Sequence, residues 1–272
     1  MPVPLSNQGT GEGADPRNPG VWGSEQGWNP GADGPPGLVR GQQLGRSYEG
    51  TQLGASLAIP LSIPGLVAWY DASRITGLSD GAAVATWEDS SGNGNDLTQA
   101  TAGLRPTYQT GELNGLPIVR EDGSDDYMSV DFGASPASQP YSVYMVFRLH
   151  TLSGEQEDIV EGTTANTPEM SWNSGNNTAF IWAGGFDPIA FTVDTNFHVF
   201  GGVFDGVSSV LDLDGTETVV DAGTNAFSQV MEVGGSVRKT PGDYAELVFY
   251  SAELTSAQRQ QLRDYFSSKW GV

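Results

Sequence analysis

Short runs of β-branched and aromatic residues, separated by turn signals, recur along the chain from about residue 64 onward. Several runs alternate apolar and polar side chains, as in Val210-Leu211-Asp212-Leu213, which predicts leucines facing a core and aspartate facing outward. More than a dozen short strands at close spacing are typical of a two-sheet antiparallel sandwich or jelly roll. The predicted strands are residues 66–70, 84–87, 117–120, 127–130, 141–149, 159–160, 170–172, 179–182, 189–193, 197–204, 208–213, 217–220, 230–233 and 244–250.

Glycine, asparagine and aspartate mark the turns between these runs, as in Asp122-Gly123 and Asp214-Gly215. Such pairs favour tight hairpins because both residues tolerate left-handed backbone. Asp212 and Asp214 also resemble the start of a calcium-binding EF-hand loop. Gly223 stands at the twelfth position, where that loop needs glutamate, so a hairpin is the favoured interpretation.

One segment near the C-terminus has the pattern of an amphipathic helix. Thr255 and Gln258 form a capping-box sequence, in which each side chain bonds a free backbone N–H of the other residue. Apolar residues then recur at helical spacing, and Gly271 provides the stop. The apolar positions are Leu262, Tyr265, Phe266 and Trp270.

The first 62 residues have a different composition from the rest of the chain. They hold 13 glycines and 8 prolines and show no apolar periodicity. Ordering so long a segment costs about 1–2 kcal/mol per residue, so a large partner surface would be needed to hold it. We predict an extended docking arm over residues 1–62 and a β-sandwich over 63–272. The alternative is a linker wrapped on its own sandwich. The predicted partner-docking residues are Trp22, Trp28, Leu44 and Tyr48.

The charge of the chain excludes several classes of function. The net charge is −21, of which residues 1–62 contribute only −2, with three basic and five acidic residues. So negative a surface repels phosphate backbones and argues against direct nucleic-acid binding. The absence of cysteine excludes disulfides and thiolate metal sites. The chain has no run of 18 apolar residues, so the sequence predicts no membrane insertion. The first residues lack the features of a signal peptide, which predicts synthesis in a host cytoplasm.

Five segments carry a resemblance, namely residues 66–73 (LVAWYDAS), 87–96 (WEDSSGNGND), 122–128 (DGSDDYM), 197–215 and 245–255. In this order they resemble elements of the laminin-G-like, or concanavalin A-like, jelly-roll superfamily. The resemblance covers roughly residues 64–272. It implies an all-β two-sheet antiparallel jelly-roll sandwich with one short C-terminal helix. Because the superfamily includes lectins, glucanases and adhesive domains, the resemblance does not assign an activity.

The segment Glu155–Glu161 is a candidate catalytic site because it carries several closely spaced carboxylates. Jelly-roll glucanases place their carboxylates on alternate residues of one strand, whereas Gln156 and Val160 stand where such a pattern needs glutamate. Strand alternation puts Glu157, Ile159 and Glu161 on one face and Asp158 on the other. We therefore predict no catalytic residues and no enzyme activity.

Two further sets of residues are candidates for binding. The resembled superfamily often holds calcium at the sandwich rim, and oxygen-rich turns could supply the ligands. The competing explanation is that these side chains bond their own turn backbones. The calcium candidates are Asn93, Asn95, Asp96, Asp125 and Asp126, and no other cofactor is expected. Trp172 and Trp182 are candidates for glycan contact, with core packing as the alternative for each.

These features together predict a bacteriophage virion structural protein. In this interpretation a capsid decoration or appendage subunit is anchored by its arm and displays a lectin-like sandwich. Its partners would be major capsid or tail subunits, copies of itself and surface glycans. The alternative is a carbohydrate-binding tail or host-recognition protein, with a glycan hydrolase less favoured.

Overall fold

The computed structural model describes residues 59–134, 137–163 and 167–272. Within these ranges a four-residue helix, α1 (Ile59–Ser62), precedes the strands, and α2 (Ser256–Trp270) follows them. The strands are β1 (Leu66–Asp71), β2 (Thr86–Trp87), β3 (Leu97–Thr98), β4 (Thr107–Leu113), β5 (Leu116–Arg120), β6 (Met128–Asp131), β7 (Tyr141–Leu149), β8 (Gln156–Gly162), β9 (Glu169–Asn173), β10 (Thr178–Trp182), β11 (Ile189–Ala190), β12 (His198–Phe204), β13 (Ser209–Leu213), β14 (Thr216–Val220), β15 (Val230–Val233) and β16 (Gly242–Tyr250).

The strands form two antiparallel sheets. The first sheet has the order β14-β13-β12-β7-β16-β5-β4, and β1 also pairs with β16. The second sheet has the order β11-β10-β9-β8-β15-β6-β3-β2. Neighbours in both sheets are often far apart in sequence, as jelly-roll connections require. The predicted all-β sandwich is confirmed, and each predicted strand overlaps an observed one. Strands β3 and β4 were not predicted.

The core has two layers. The larger cluster lies between the two sheets and includes Phe147, Trp172, Phe200 and Tyr244, each 0% exposed. The smaller cluster lies between the outer face of the first sheet and α2. Among the described residues, α2 therefore packs against the outer face of the first sheet.

The helix has the predicted boundaries. The Thr255 side chain accepts from the backbone N–H of Gln258, and the Gln258 side chain accepts from the Thr255 backbone N–H at 2.9 Å. Gly271 ends the helix with a φ of 76°, in the left-handed region that glycine adopts without strain. The predicted apolar residues are all buried against the first sheet.

The Asp214-Gly215 pair forms the predicted hairpin turn between β13 and β14. Their φ angles are 51° and 83°, which match a turn with both central residues in the left-handed region. The interpretation as a hairpin rather than an EF-hand-like start is therefore confirmed. Of the helices in the described ranges, neither is long and apolar enough to cross a membrane.

Candidate functional site

A groove of about 530 Å³ lies on the outer face of the second sheet. Strands β8, β9, β10 and β15 form its floor, and residues 236–238 and Phe186 line its sides. Along these strands the apolar side chains of Ile181, Met170 and Met231 point into the core between the sheets. Since side chains alternate along a strand, the polar and aromatic residues between them face the groove.

A β-bulge in β8 determines which acidic residues reach the groove. The register with β9 shifts between Asp158 and Val160, so that both Ile159 and Val160 contribute to the core. The bulge resets the alternation and places Asp158 on the same face as Glu161. The prediction that Asp158 points away from Glu161 was therefore wrong. Glu157 is fully buried instead, where it accepts from the hydroxyl of Ser174 at 2.8 Å.

Three glutamates form a row across the sheet, which we call the glutamate row: Glu169, Glu161 and Glu232. Glu161 stands directly opposite Glu169 on β9 and directly opposite Glu232 on β15. Trp182 on β10 extends the same row, because it pairs with Glu169. One carboxylate oxygen from each of Asp158, Glu161 and Glu169 lies within 4.8 Å of the others. The groove therefore has a dense acidic floor beside an indole ring.

The charge of Asp158 is compensated within the protein. Arg238 Nη1 lies 3.1 Å from Asp158 Oδ2 and 3.8 Å from Glu169 Oε2. Gln156 Nε2 donates to Asp158 Oδ1 at 2.8 Å, and the Ser171 hydroxyl donates to the same oxygen at 2.9 Å. Asp158 is therefore an anchor that positions Arg238 over the groove floor.

Burial and the neighbouring carboxylates hold protons on two members of the glutamate row. Burial first, and then Asp158, Glu232 and Glu169, raise the pKa of Glu161 to about 7. Burial and Asp158 likewise raise the pKa of Glu169 to about 7, against the opposing influence of Arg238. Both carboxyl groups thus change charge near neutral pH, as groups at binding and catalytic sites often do.

An aromatic wall stands beside the acidic floor. The rings of Phe180 and Phe186 meet edge to face, with centroids 5.0 Å apart. Phe186 is 64% exposed and Val237, on the loop after β15, is 81% exposed, while Trp182 is half-buried. Large apolar side chains left open to solvent around a polar floor are typical of ligand-binding grooves.

The two tryptophan candidates have different environments. Trp182 lines the groove, as glycan contact would require. Trp172 is 0% exposed and packs against Phe147, Phe191 and Phe200, with centroid distances of 5.2, 5.1 and 5.6 Å. Trp172 therefore presents no surface to a ligand, and the core-packing alternative holds for it because its side chain points between the sheets.

The calcium candidates fall in two turns that bond much of their own backbone. In the first turn the Asn93 and Asn95 amides donate to the Val67 carbonyl at 3.0 and 2.8 Å, and Asp96 accepts from the Asp89 backbone N–H. In the second turn Asp126 accepts from the backbone N–H of Asp122 at 3.1 Å. Carboxylate oxygens of Asp122, Asp125 and Asp126 lie within 4.8 Å of one another. Calcium binding stays a prediction, with Asp122 as an unpredicted member of the set.

The predicted docking residues Trp22, Trp28, Leu44 and Tyr48 lie outside the described residues. Sequence reasoning also missed most of the groove. Glu169, Glu232, Arg238, Phe180 and Phe186 were not singled out. Strand alternation turns Phe180 outward because Ile181 lies in the core, but no sequence signal brings Glu232 beside Glu161.

The similarity of this chain to known proteins is found among solved structures. No family model and no curated protein matches the chain. Among solved structures, Trypanosoma rangeli sialidase in complex with sialic acid has 13% identity and a TM-score of 0.54 over 85% of this chain and 40% of its own. Domain 4 of AbnA, an extracellular arabinanase from Geobacillus stearothermophilus, in complex with arabinotriose, has 17% identity and a TM-score of 0.54 over 74% of this chain and 98% of its own.

The likeness is one of fold. A third structure, the binding domain of botulinum neurotoxin DC in complex with rat synaptotagmin II, has 12% identity and a TM-score of 0.52 over 74% of this chain and 51% of its own. The chain spans less than half the length of the sialidase and about half of the toxin domain's chain, but nearly all of the arabinanase domain. The sandwich is therefore shared with modules of binding proteins and enzymes alike.

Proposed function

We propose that the β-sandwich binds a carbohydrate in the groove on the second sheet. The observation that carries this proposal is the half-buried Trp182 in direct register with the carboxylates of the groove floor. The C–H face of a sugar ring packs on an aromatic ring, while its hydroxyls donate to carboxylates, so one ligand uses both parts of the site. The volume of about 530 Å³ is within the usual range for small-ligand sites.

The fold comparisons give this proposal independent support. The arabinanase domain, whose whole length matches this sandwich, is described in complex with arabinotriose, and the sialidase with sialic acid. A binding module is favoured over a hydrolase because Asp158 is paired with Arg238, which occupies one of the three clustered carboxylates. We expect a bound oligosaccharide to remain intact.

Replacing Trp182 by alanine is expected to weaken glycan binding about tenfold to hundredfold, the range for an aromatic hot-spot side chain. The measurement is a glycan array screen of the full chain, followed by calorimetric titration of the best ligand. Trp182→Phe keeps a flat ring and should retain most of the affinity. Val219→Ala, at the exposed edge of the first sheet, should leave it unchanged. An array without any ligand, or equal affinity for Trp182→Ala, would refute the groove as the site, and release of shortened sugar would favour the hydrolase.

We further propose that the chain is a bacteriophage virion subunit, a capsid decoration or appendage protein docked through residues 1–62. The support is the sequence of that segment, with its 13 glycines, 8 prolines and isolated aromatic anchors, joined to a lectin-like sandwich. The partners proposed are major capsid subunits first and tail subunits second, together with further copies of the chain.

Deleting residues 1–62 is expected to abolish particle attachment and leave the sandwich folded, because the fully buried residues of both core clusters begin at Ile63 and only the partly buried Ile59 packs against one of them from α1. The measurement is co-sedimentation with particles that lack this subunit, with the unfolding midpoint of the truncated domain as the folding control. Alanine at both Trp22 and Trp28 in the full chain should weaken attachment without changing that midpoint. Normal attachment of the truncated domain would place the docking surface elsewhere.

A further inference from the structure

The glutamate row is an arrangement that a sheet ordinarily avoids. Like charges directly opposite each other on neighbouring strands are destabilising, and here two such pairs share Glu161. The backbone pairing of β9, β8 and β15 holds the three residues directly opposite one another, so their carboxyl groups share one small part of the sheet surface. The groove therefore gathers three acidic groups at one place, and a cation bound there would favour their ionised forms.

Within the described residues, cations compensate the glutamate row only in part. Three glutamates and one arginine line the groove, and Arg238 makes its shortest ion-pair contact, 3.1 Å, with Asp158 rather than with the row. Glu232 Oε2 accepts one backbone N–H, from Ser236, at 3.2 Å. Within the described ranges, Glu161 Oε1 is buried and has no hydrogen-bond partner. One oxygen of the central carboxyl group thus has no hydrogen-bond donor among the described residues.

We propose that the groove selects sugars carrying a free, protonated amino group, with the ammonium seated at the glutamate row and the sugar ring against Trp182. This inference rests on the carbohydrate-binding function proposed above. An ammonium group offers three donors and a positive charge, and hydrogen bonds between charged groups are about twice as strong as neutral ones. It would satisfy Glu161 and relieve the repulsion along the row.

The same geometry disfavours acidic sugars. A carboxylate placed at the row would add a negative charge beside acidic groups that already disfavour one another's ionisation, and Arg238 is already engaged by Asp158. The raised pKa values of Glu161 and Glu169 agree with this picture, since their neighbours already make ionisation costly. A neutral sugar can stack on Trp182 but gains no ionic contact. The predicted order of affinity is amino sugar, neutral sugar, acidic sugar.

The test compares three tetrasaccharides at neutral pH by calorimetry with the full chain: oligomers of glucosamine, of N-acetylglucosamine and of galacturonic acid. We expect the glucosamine oligomer to bind about tenfold to hundredfold more tightly than its N-acetylated counterpart, the range for a charged hydrogen bond. The preference should shrink as salt is added, because salt screens the attraction. The acidic oligomer should bind least.

A pair of variants separates the groove from the general negative charge of the protein. Glu161→Gln with Glu169→Gln should abolish the preference for the free amine and retain binding of the neutral sugar. Glu88→Gln with Glu253→Gln removes two exposed charges outside the groove and should retain the preference. Each double variant removes two acidic groups. Unfolding midpoints no lower than that of the native chain confirm that the groove variant folds.

The outcomes distinguish the two proposals. Equal affinity for the free and acetylated amines would overturn the selectivity and leave the carbohydrate-binding function standing. The selectivity would also be overturned if both double variants showed the same preference for the free amine, because the attraction would then come from the general charge of the protein. If the glucosamine oligomer binds Trp182→Ala as tightly as it binds the native chain, the sugar ring does not stack on Trp182 while its ammonium is bound at the glutamate row. Absence of binding by all three oligomers and by the glycan array would remove both proposals.

Discussion

Replacing Glu246 by alanine is expected to lower the free energy of unfolding by about 3–5 kcal/mol, the range for removing one partner of a buried ionic cluster. Glu246 lies in β16 and is 0% exposed. Its carboxylate accepts hydrogen bonds from both α2 and β1, so its loss weakens the packing of the helix against the sheet. The expected result is a less stable domain with α2 detached from the first sheet.

Four donors converge on this one carboxylate. Oε1 accepts from Trp69 Nε1 at 2.6 Å and from the Tyr265 hydroxyl at 2.8 Å. Oε2 accepts from Lys269 Nζ and Trp270 Nε1, both at 2.7 Å. Three of these donors belong to α2. Alanine would leave Trp69, Tyr265 and Trp270 without this acceptor in a buried site, and an unsatisfied buried group costs its full desolvation energy. Lys269 would keep its contact with Asp71 at 2.6 Å.

The measurement is urea unfolding of the full chain, followed by tryptophan fluorescence and circular dichroism. Glu246→Gln is the matched variant, because its side chain has the same shape but one acceptor oxygen and an amide N–H₂ that faces donors. It should show a smaller loss than alanine. Glu253→Ala, exposed in the loop before α2, should change stability by less than about 0.5 kcal/mol. A loss below about 1 kcal/mol for Glu246→Ala would mean that the cluster is not what holds the helix.

The sequence predicted this helix well because its signals are local. The capping pair Thr255 and Gln258, the apolar spacing and Gly271 all act within one or two turns of the chain, and each is found as expected. Glu246 could not be identified in the same way. Its alternating position in β16 marks it as a residue on one face of a strand, but its four partners come from two other elements, β1 and α2.

The longer of the two strands that escaped prediction is β4, whose sequence TYQTGEL is mostly polar. It lies at the edge of the first sheet, so little of its surface needs to be buried, and its hydrophobic pattern is correspondingly weak. A local signal was nevertheless present. Asn114-Gly115, with φ angles of 49° and 75°, forms the hairpin between β4 and β5 and is the kind of pair that favours such turns.

The groove illustrates a different limit. Strict alternation along β8 assigns Asp158 and Glu161 to opposite faces, and only the bulge after Asp158 brings them together. Bulges leave no dependable mark in a single sequence, because the extra residue is defined by the partner strand. The glutamate row needs, in addition, the register of β15 against β8, which joins segments that are distant along the chain. Composition alone indicated an acidic protein, whereas the fold concentrates that charge at one site.

The two tryptophans that sequence reasoning treated alike are expected to respond oppositely to mutation. Trp172→Ala should lower the free energy of unfolding by about 3–5 kcal/mol, the usual cost of deleting a large buried aromatic side chain. The ring is fully buried between the sheets and contacts Phe147, Phe191 and Phe200. The cavity left by alanine would therefore be lined by rings held in both sheets, which cannot collapse into it without distorting the strands.

Trp182→Ala provides the matched control for this stability measurement, because it removes the same side chain from the next strand of the same sheet. Its half-buried ring lies at the groove, so we expect a loss of at most about 1 kcal/mol in urea unfolding. Trp172→Phe should recover much of the lost stability, since a smaller ring still fills most of the space. Equal losses of unfolding free energy for the two alanine variants would mean that Trp182 contributes to the core rather than to ligand binding. A small loss for Trp172→Ala would show that the sheets close over the cavity, which the fixed register of β9 with β8 and β10 argues against.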